Sequence, residues 1–205
     1  MKTQTKITQE NLTPKKAHRI LVEGNNRFAQ NLKAQRNLQD QVFETSKGQF
    51  PFAVILSCID SRVPAELVFD QGIGDIFSTR IAGNIINEDI LGSMEYACKV
   101  AGSKIVVVMG HTKCGAVTAA CQNIELGNIT SLLHKIKPAI DIVKVEKGKI
   151  GDTAIEEVSL INVRISIDRI REESAILSEM ERNNEIEIVG AMYSVSTGEV
   201  EFYDF

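Results

Sequence analysis

The sequence predicts an α/β protein with a mainly parallel central β-sheet, flanked by helices and preceded by an N-terminal helical arm. Two observations predict this fold. Apolar, β-rich runs alternate along the chain with segments of helical periodicity, as in sheets that helices cover on both faces. The runs are also almost continuously apolar, which is typical of buried parallel strands. Because the chain has 205 residues and is 43% hydrophobic, we expect one domain over residues 1–205.

The elements follow one another in a simple order. The arm and its connector are expected in 1–48 and the α/β core in 49–205. Thr13 resembles a helix N-cap with a proline after it, and the apolar residues that follow continue a helical pattern to Leu32. Strands are predicted at 52–57, 75–83, 103–111 and 184–195, and helices at 64–70, 88–100, 115–121, 129–146 and 153–182. A turn at Thr197 and Gly198 precedes an alternating run that is expected to add an edge strand.

Composition excludes several classes of protein. The 23 basic residues are outnumbered by 27 acidic ones, which argues against nucleic acid as a partner. No stretch approaches the roughly 20 apolar residues of a membrane span, and the polar N-terminus does not resemble a signal peptide. We therefore expect a cytoplasmic protein with no membrane partner. In that reducing compartment, the four cysteines are ligands, nucleophiles or core residues rather than disulfides.

Thiol and imidazole groups follow two of the predicted strands. Cys58 follows the first strand, and His111 and Cys114 lie at the end of the third. The carboxyl ends of parallel strands share one crevice, where α/β sheets bind their ligands. Two cysteines and one histidine are typical zinc ligands and leave a fourth tetrahedral position for water. Each residue alone is explained as a buried core residue, but their common placement favours a site for one zinc ion per chain.

Asp60 and Arg62 are two residues apart on extended chain, so their side chains point the same way. They can form a charge-assisted pair beside the metal, in which the arginine keeps the aspartate ionised and therefore an acceptor only. Asp60 then orients a zinc-bound hydroxide, or it binds zinc as a fourth ligand in a closed state. A third interpretation is an ordinary buried salt bridge, although such pairs add little stability.

Two motifs carry a family resemblance. The segments CIDSRVPAELVFDQGIGDIFSTRIAGN (58–84) and VVVMGHTKCGAV (106–117) contain C-x-D-x-R and H-x-x-C. From about residue 51 to 205 the chain resembles the β-class carbonic anhydrases. The resemblance implies a zinc lyase that reversibly hydrates carbon dioxide to bicarbonate and a proton through a zinc-bound hydroxide. It also implies a homodimer, or a tetramer, in which the helical arm wraps a partner subunit.

The resemblance also assigns residues. The zinc ligands are Cys58, His111 and Cys114, and the catalytic dyad is Asp60 with Arg62. The substrate pocket is assigned to Gln49, Phe77, Ala82, Tyr96 and Gly115. Of these, the glutamine is expected to bond substrate or product, and the two aromatic residues can in this family come from across the dimer interface. Cys98 and Cys121 match no ligand and are expected to pack on helix faces.

Other functions stay open at this point. The same site could hydrolyse a related heterocumulene such as carbon disulfide, or a closed four-ligand zinc site could serve only to stabilise a non-catalytic module. A nucleotide-binding fold is disfavoured because no G-x-G-x-x-G follows the first strand. Two thiolates offset the charge of Zn²⁺, so bound water should be less acidic than in a three-histidine site. We therefore expect activity that rises through mildly alkaline pH.

Overall fold

A five-stranded sheet forms the centre of the structure, a computed structural model that describes residues 2–147 and 151–205. The strands are β1 (Ala53–Ser57), β2 (Ile76–Arg80), β3 (Ile105–His111), β4 (Glu187–Tyr193) and β5 (Val200–Tyr203). Their spatial order is β2-β1-β3-β4-β5. The first four are parallel, and β5 pairs antiparallel with β4 at one edge. The predicted α/β fold with a mainly parallel sheet is confirmed, including the edge strand.

Ten α-helices are present in the described parts of the chain. They are α1 (Lys6–Glu10), α2 (Pro14–Ala29), α3 (Leu38–Thr45), α4 (Ala65–Val68), α5 (Glu88–Glu95), α6 (Gly115–Cys121), α7 (Gly127–His134), α8 (Lys137–Lys147), α9 (Asp152–Glu173) and α10 (Ala175–Arg182). A 3-10 turn covers Ala82–Asn84, and a π-helical turn, Tyr96–Val100, continues α5. Among the described residues, no helix is both long and apolar enough to cross a bilayer.

Side-chain caps fix the beginnings of several helices. Thr13 accepts a hydrogen bond from the amide of Lys16 and is followed by Pro14, as the sequence predicts. Asn87 caps α5 in the same way through the amide of Ile90. Each cap satisfies an amide that has no partner inside the helix.

Alternation along the buried strands supplies apolar residues to both faces of the sheet. Val54 and Leu56 of β1 point to one face, where Ile167 and Ile170 of α9 pack against them. The residues between them point to the other face, which α2 covers with Ala17 and Leu21. The sheet is therefore covered on both sides, and only its edges and strand ends remain for polar groups.

Two predicted long helices are each broken in the structure. The segment predicted as one helix over 129–146 forms α7 and α8, and the bend places Ile136 fully in the core. The segment predicted as one helix over 153–182 is interrupted at Ser174, whose φ of −114° and ψ of 98° are not helical. Ser174 is buried, caps α10 through the amide of Leu177, and donates a 2.5 Å hydrogen bond to Glu95. A tertiary contact therefore fixes this break.

Helix α2 and strand β2 also end earlier than the sequence predicts. Helix α2 ends at Ala29, before Leu32, and Asn31 has a positive φ of 55° that ends the helical path. Strand β2 ends at Arg80 rather than at residue 83. Gly83 has a φ of 70°, and a Cβ there would lie 2.7 Å from the side chain of Ile136. The turn over 82–84 therefore requires a glycine.

Candidate active site

Three donor atoms meet at the carboxyl ends of β1 and β3. The sulfur atoms of Cys58 and Cys114 lie 4.0 Å apart, and these two atoms and a ring nitrogen of His111 all lie within 4.8 Å of one another. Two thiolates bound to one tetrahedral zinc at 2.3 Å would lie about 3.8 Å apart. All three side chains are buried, so the cluster combines the spacing of a metal site with exclusion from solvent.

The imidazole of His111 is oriented for a metal. Its Nδ1 lies 2.9 Å from the carbonyl oxygen of Thr112, which can only accept, so Nδ1 carries the proton. Its Nε2 is buried and has no hydrogen-bond partner within the described parts of the chain. A buried nitrogen with a free lone pair is costly unless something binds it. The donor set therefore fits zinc, which binds neutral imidazole and thiolate.

The two thiols share a hydrogen bond that separates their pKa values. The bond from Cys114 lowers the pKa of Cys58 well below its ordinary value, although burial opposes this. The same bond, together with burial, raises the pKa of Cys114. The amide of Gly83 also donates to the Cys58 sulfur at 3.3 Å. One negative charge is thus readily held here, and binding of a cation would release the second thiol proton.

Asp60 and Arg62 form the close pair that their spacing predicts. The guanidinium donates to both carboxylate oxygens, at 2.9 and 2.7 Å, and the amide of Arg62 adds a third bond of 2.9 Å. These bonds hold the pKa of the Asp60 carboxyl well below its usual range. Oδ2 of Asp60 lies 4.0 Å from Nε2 of His111. The side chain of Arg62 is 48% exposed, so the pair is not an ordinary buried salt bridge.

Arg80 binds the backbone beside the cluster, a role that the sequence did not indicate. It donates to the carbonyl oxygens of Cys58, at 2.9 Å, and Asp60, at 2.6 Å. It therefore fixes the backbone on either side of Ile59. Because Arg80 is directly opposite Ser57 in the parallel pairing of β1 and β2, the register of adjacent strands was the signal that could have found it.

A largely apolar hollow of about 470 Å³ opens beside the cluster; we call it the apolar cleft. It is lined by Cys58, Ile59, Asp60, Ala82, Gly115, Ala116, Ala119, Ile129, Leu132 and Leu133. Ala82 and Gly115, two of the predicted pocket residues, therefore lie with a predicted ligand and with Asp60. The cleft offers mostly hydrocarbon surface, and Asp60 is the charged residue among those that line it.

The other three predicted pocket residues lie elsewhere in the single chain. Phe77 and Tyr96 pack edge to face, with ring centroids 6.4 Å apart, and line a separate hollow of about 550 Å³. Gln49 is exposed between α3 and β1 and is not among the residues that line the apolar cleft. One chain thus brings Ala82 and Gly115 to the donor cluster, but not these three.

Comparison with known proteins supplies the family. The model of the family described as carbonic anhydrase matches residues 53–200, a range that contains all three donors, the Asp60 and Arg62 pair and Arg80. The chain belongs to the carbonic anhydrase family. Carbonic anhydrases are lyases, so the protein is an enzyme of that class.

Relatives and solved structures agree with this family. Carbonic anhydrase 2 of Mycobacterium tuberculosis is 34% identical over 195 residues, which cover 92% of both chains. A carbonic anhydrase of Mycolicibacterium smegmatis is 33% identical and covers 93% of this chain and 94% of its own. The crystal structure of the β-carbonic anhydrase CafA of Aspergillus fumigatus has a TM-score of 0.75 and 26% identity over 81% of each chain. The fold is thus that of the β-class carbonic anhydrases.

Proposed function

We propose that this β-class carbonic anhydrase reversibly hydrates carbon dioxide to bicarbonate and a proton, with one zinc ion held by Cys58, His111 and Cys114. One observation carries the proposal: three buried donor atoms within 4.8 Å of one another lie beside an ionised carboxylate at the side of an apolar cleft. Bound zinc would supply Lewis acidity that makes a water molecule nucleophilic near neutral pH.

Asp60 orients the nucleophile in this proposal. Because its carboxylate stays ionised, it can only accept hydrogen bonds. It therefore accepts a hydrogen bond from the attacking oxygen and so turns a lone pair of that oxygen toward the substrate. Arg62 keeps the carboxylate charged and fixed in direction by its three hydrogen bonds. Arg80 fixes the backbone between the first metal ligand and this carboxylate.

The apolar cleft holds carbon dioxide before attack. The substrate is small, linear and uncharged, so hydrocarbon walls such as those of Ile129 and Leu132 suit it better than water does. A Cβ on Gly115 would meet no atom within 4 Å, so a glycine leaves open space in the wall of the cleft. The cleft favours the neutral substrate over the bicarbonate anion and thereby aids product release.

The metal site is open to water in this proposal rather than closed by Asp60. Both carboxylate oxygens are engaged by the guanidinium of Arg62, and the group of potential metal ligands contains only Cys58, His111 and Cys114 among the described residues. Three protein ligands with a fourth open position are typical of catalytic rather than structural zinc. This arrangement supports turnover over a purely stabilising role.

A homodimer, in which each chain completes the pocket of the other, accounts for the predicted pocket residues that lie apart. Gln49 is exposed, and Tyr96 is 56% exposed beside Phe77. Phe43 of α3 is also 74% exposed, which leaves an apolar side chain of the 1–48 segment for a partner subunit. The 1–205 chain is in this proposal a single domain, whose helical arm packs on a second copy.

Replacement of a metal ligand tests the function directly. Cys58→Ala should lose zinc and CO2 hydration together, because the remaining thiolate and imidazole no longer form a three-ligand site. Zinc per chain is measured by elemental analysis, and hydration by stopped flow with a pH indicator. The matched control is Cys121→Ala, which removes a thiol outside the cluster and should retain both. A zinc-free Cys58→Ala protein with wild-type turnover would contradict the proposal.

A further inference from the structure

The peptide unit that joins Thr112 to Lys113 lies between a proposed metal ligand and a carboxylate. Its carbonyl oxygen lies 2.9 Å from Nδ1 of His111. Its amide, the N–H of Lys113, donates to Oε1 of Glu156 at 2.9 Å. The two hydrogen bonds use the two ends of one peptide dipole. An unbroken path of hydrogen bonds therefore runs from the imidazole through the peptide to Glu156 on α9.

We propose that Glu156 is a positioning residue of the metal centre, which acts on His111 through the peptide between Thr112 and Lys113. The proposal rests on the proposed zinc function. Metal-binding histidines generally donate their second N–H to a carboxylate or a carbonyl, and this partner raises the basicity of the ligand. Here both kinds of partner are present in series. The Thr112 carbonyl accepts the hydrogen bond of the imidazole directly, and the Glu156 carboxylate polarises that carbonyl through the amide at the other end of the same peptide.

The carboxylate of Glu156 binds this peptide through its Oε1 atom. Its second oxygen, Oε2, is buried and has no hydrogen-bond partner in residues 2–147 and 151–205, so its bond to Lys113 is the one that the structure gives its carboxylate. Hydrogen bonds in such a chain polarise one another. The carboxylate therefore makes the Thr112 carbonyl a better acceptor and His111 a better electron donor to a metal.

The same contact holds a strained residue. Lys113 has a φ of 53°, a left-handed conformation that is strained for a residue other than glycine. Strand β4 and the segment after it fix the preceding residue, because the amide of Thr112 donates to the carbonyl of Tyr193 and its hydroxyl accepts from the amide of Val195. Glu156 fixes the next one, Lys113, through its amide. The loop between His111 and Cys114 is thus held at both of its residues.

Lys113 also connects this loop to the proposed dyad. Its carbonyl oxygen accepts a 3.2 Å hydrogen bond from Nη2 of Arg62, the same nitrogen that binds Asp60. A shift of Lys113 would therefore move a contact of the arginine as well as the peptide behind His111. Glu156 thereby affects both the ligand and the carboxylate that orients the nucleophile, although it touches neither.

Two variants distinguish an effect of the Glu156 charge on His111 from a role in which Glu156 only holds the loop in place. Glu156→Gln keeps an oxygen that can accept from Lys113 but removes the charge, whereas Glu156→Ala removes both. The dissociation constant for Zn²⁺ is measured by competition with a chromophoric chelator. We expect Glu156→Ala to bind zinc about 10- to 100-fold more weakly, with Glu156→Gln between it and the wild type. Glu199→Gln, which removes another carboxylate from the hollow that Glu156 lines, should match the wild type.

Proton NMR gives a readout that a loop anchor would not change. The Nδ1–H resonance of His111 should move upfield in Glu156→Gln, because its acceptor carbonyl is less polarised, and stay in place in Glu199→Gln. An unchanged resonance together with a zinc affinity within twofold of wild type in Glu156→Gln would overturn the proposal. If Glu156→Ala does not fold, the test rests on Glu156→Gln alone. A wild-type protein that lacks zinc-dependent CO2 hydration would instead overturn the proposed function.

Discussion

Asp60 is held in one charge state and one direction. Three hydrogen bonds from Arg62 fix its two oxygens, and the Arg80 guanidinium fixes its backbone carbonyl. Since Arg62 keeps the pKa of this carboxyl well below its usual range, it remains an acceptor throughout neutral and mildly alkaline solution. This supports the proposed role of Asp60 as a fixed orienting element rather than a switch that titrates during turnover.

The variant Asp60→Asn tests the proposed orienting role. The amide presents an N–H₂ that donates where the carboxylate only accepts, so it cannot select one orientation of the nucleophile. We expect CO2 hydration to fall by about 100-fold or more, while zinc per chain, measured on the same sample, stays as in wild type. The exposed carboxylate of Asp168 provides the control, since Asp168→Asn should change neither quantity. Undiminished turnover in Asp60→Asn would remove Asp60 from the mechanism.

Predictability from sequence differs among the site residues. Cys58, His111 and Cys114 could be placed together because each lies at or just after the end of a strongly apolar strand, and the carboxyl ends of parallel strands meet at one edge. Arg80 needed one further step, the register of β2 against β1. Glu156 lies 43 residues from Lys113 along the chain, and its partner is a backbone amide. A backbone partner leaves no trace in residue types, so this contact could not be predicted.

At the scale of elements, Asp70 joins three segments of the chain. It accepts from Arg27 of α2 at 2.5 Å, from Arg36 of the connector at 2.6 Å, and from the amide of Ala34 at 3.1 Å. Asp70 itself follows α4, with a positive φ of 44°. The side chains of Asp70 and Arg36 are only 6% and 7% exposed. The contact therefore ties α2 and the connector before α3 to the core through a buried charge cluster.

Breaking this cluster should destabilise the fold. Asp70→Asn removes the carboxylate that accepts from two guanidinium groups, one of them buried, and we expect a loss of about 3 kcal/mol in the free energy of unfolding. Urea denaturation followed by circular dichroism measures it. The control is Glu23→Gln, which breaks an exposed pair with Arg19 and should cost about 0.5 kcal/mol or less. Equal unfolding free energies for wild type and Asp70→Asn at pH 7 would contradict a stabilising role.

The direction in which the stability of the fold changes with pH follows from the pKa of Asp70. Burial raises the pKa of Asp70, but its bonds from Arg27 and Arg36 outweigh burial, so the pKa is lowered in the folded protein. A lowered pKa contributes stability above the unfolded value of about 3.9 and loses it as the pH falls. The difference in the free energy of unfolding between wild type and Asp70→Asn should therefore be largest near pH 7 and become smaller below about pH 4.

Helix boundaries show where local pattern and tertiary contact disagree. Apolar periodicity continues past residue 136 and past Ser174, so the sequence predicts one helix at each place. The structure breaks both, because Ile136 turns into the core and Ser174 bonds Glu95 of another helix. The strands were predicted more closely, since a buried parallel strand is marked by a continuous apolar run and needs no partner to be recognised.

At the scale of the whole molecule, the predicted pocket residues do not all lie in the cleft of one chain. The sheet brings Cys58, Asp60, Ala82 and Gly115 to one cleft, whereas Gln49 lies exposed in the segment before β1. A residue that binds substrate but lies outside the cleft of its own chain can reach the substrate of a second copy. In a twofold symmetric dimer each chain would then give its own Gln49 to the partner and receive one in return.

Mixed dimers test this exchange. Asp60→Asn and Gln49→Ala homodimers should each be strongly impaired. If Gln49 acts across the interface, a heterodimer of the two has one site with both substitutions and one with neither. Co-expression with two different affinity tags and sequential purification isolates the heterodimer, which should recover about half the wild-type turnover per dimer. If Gln49 serves its own chain, each site carries one substitution and activity stays at the level of the impaired parents, which would exclude a shared pocket.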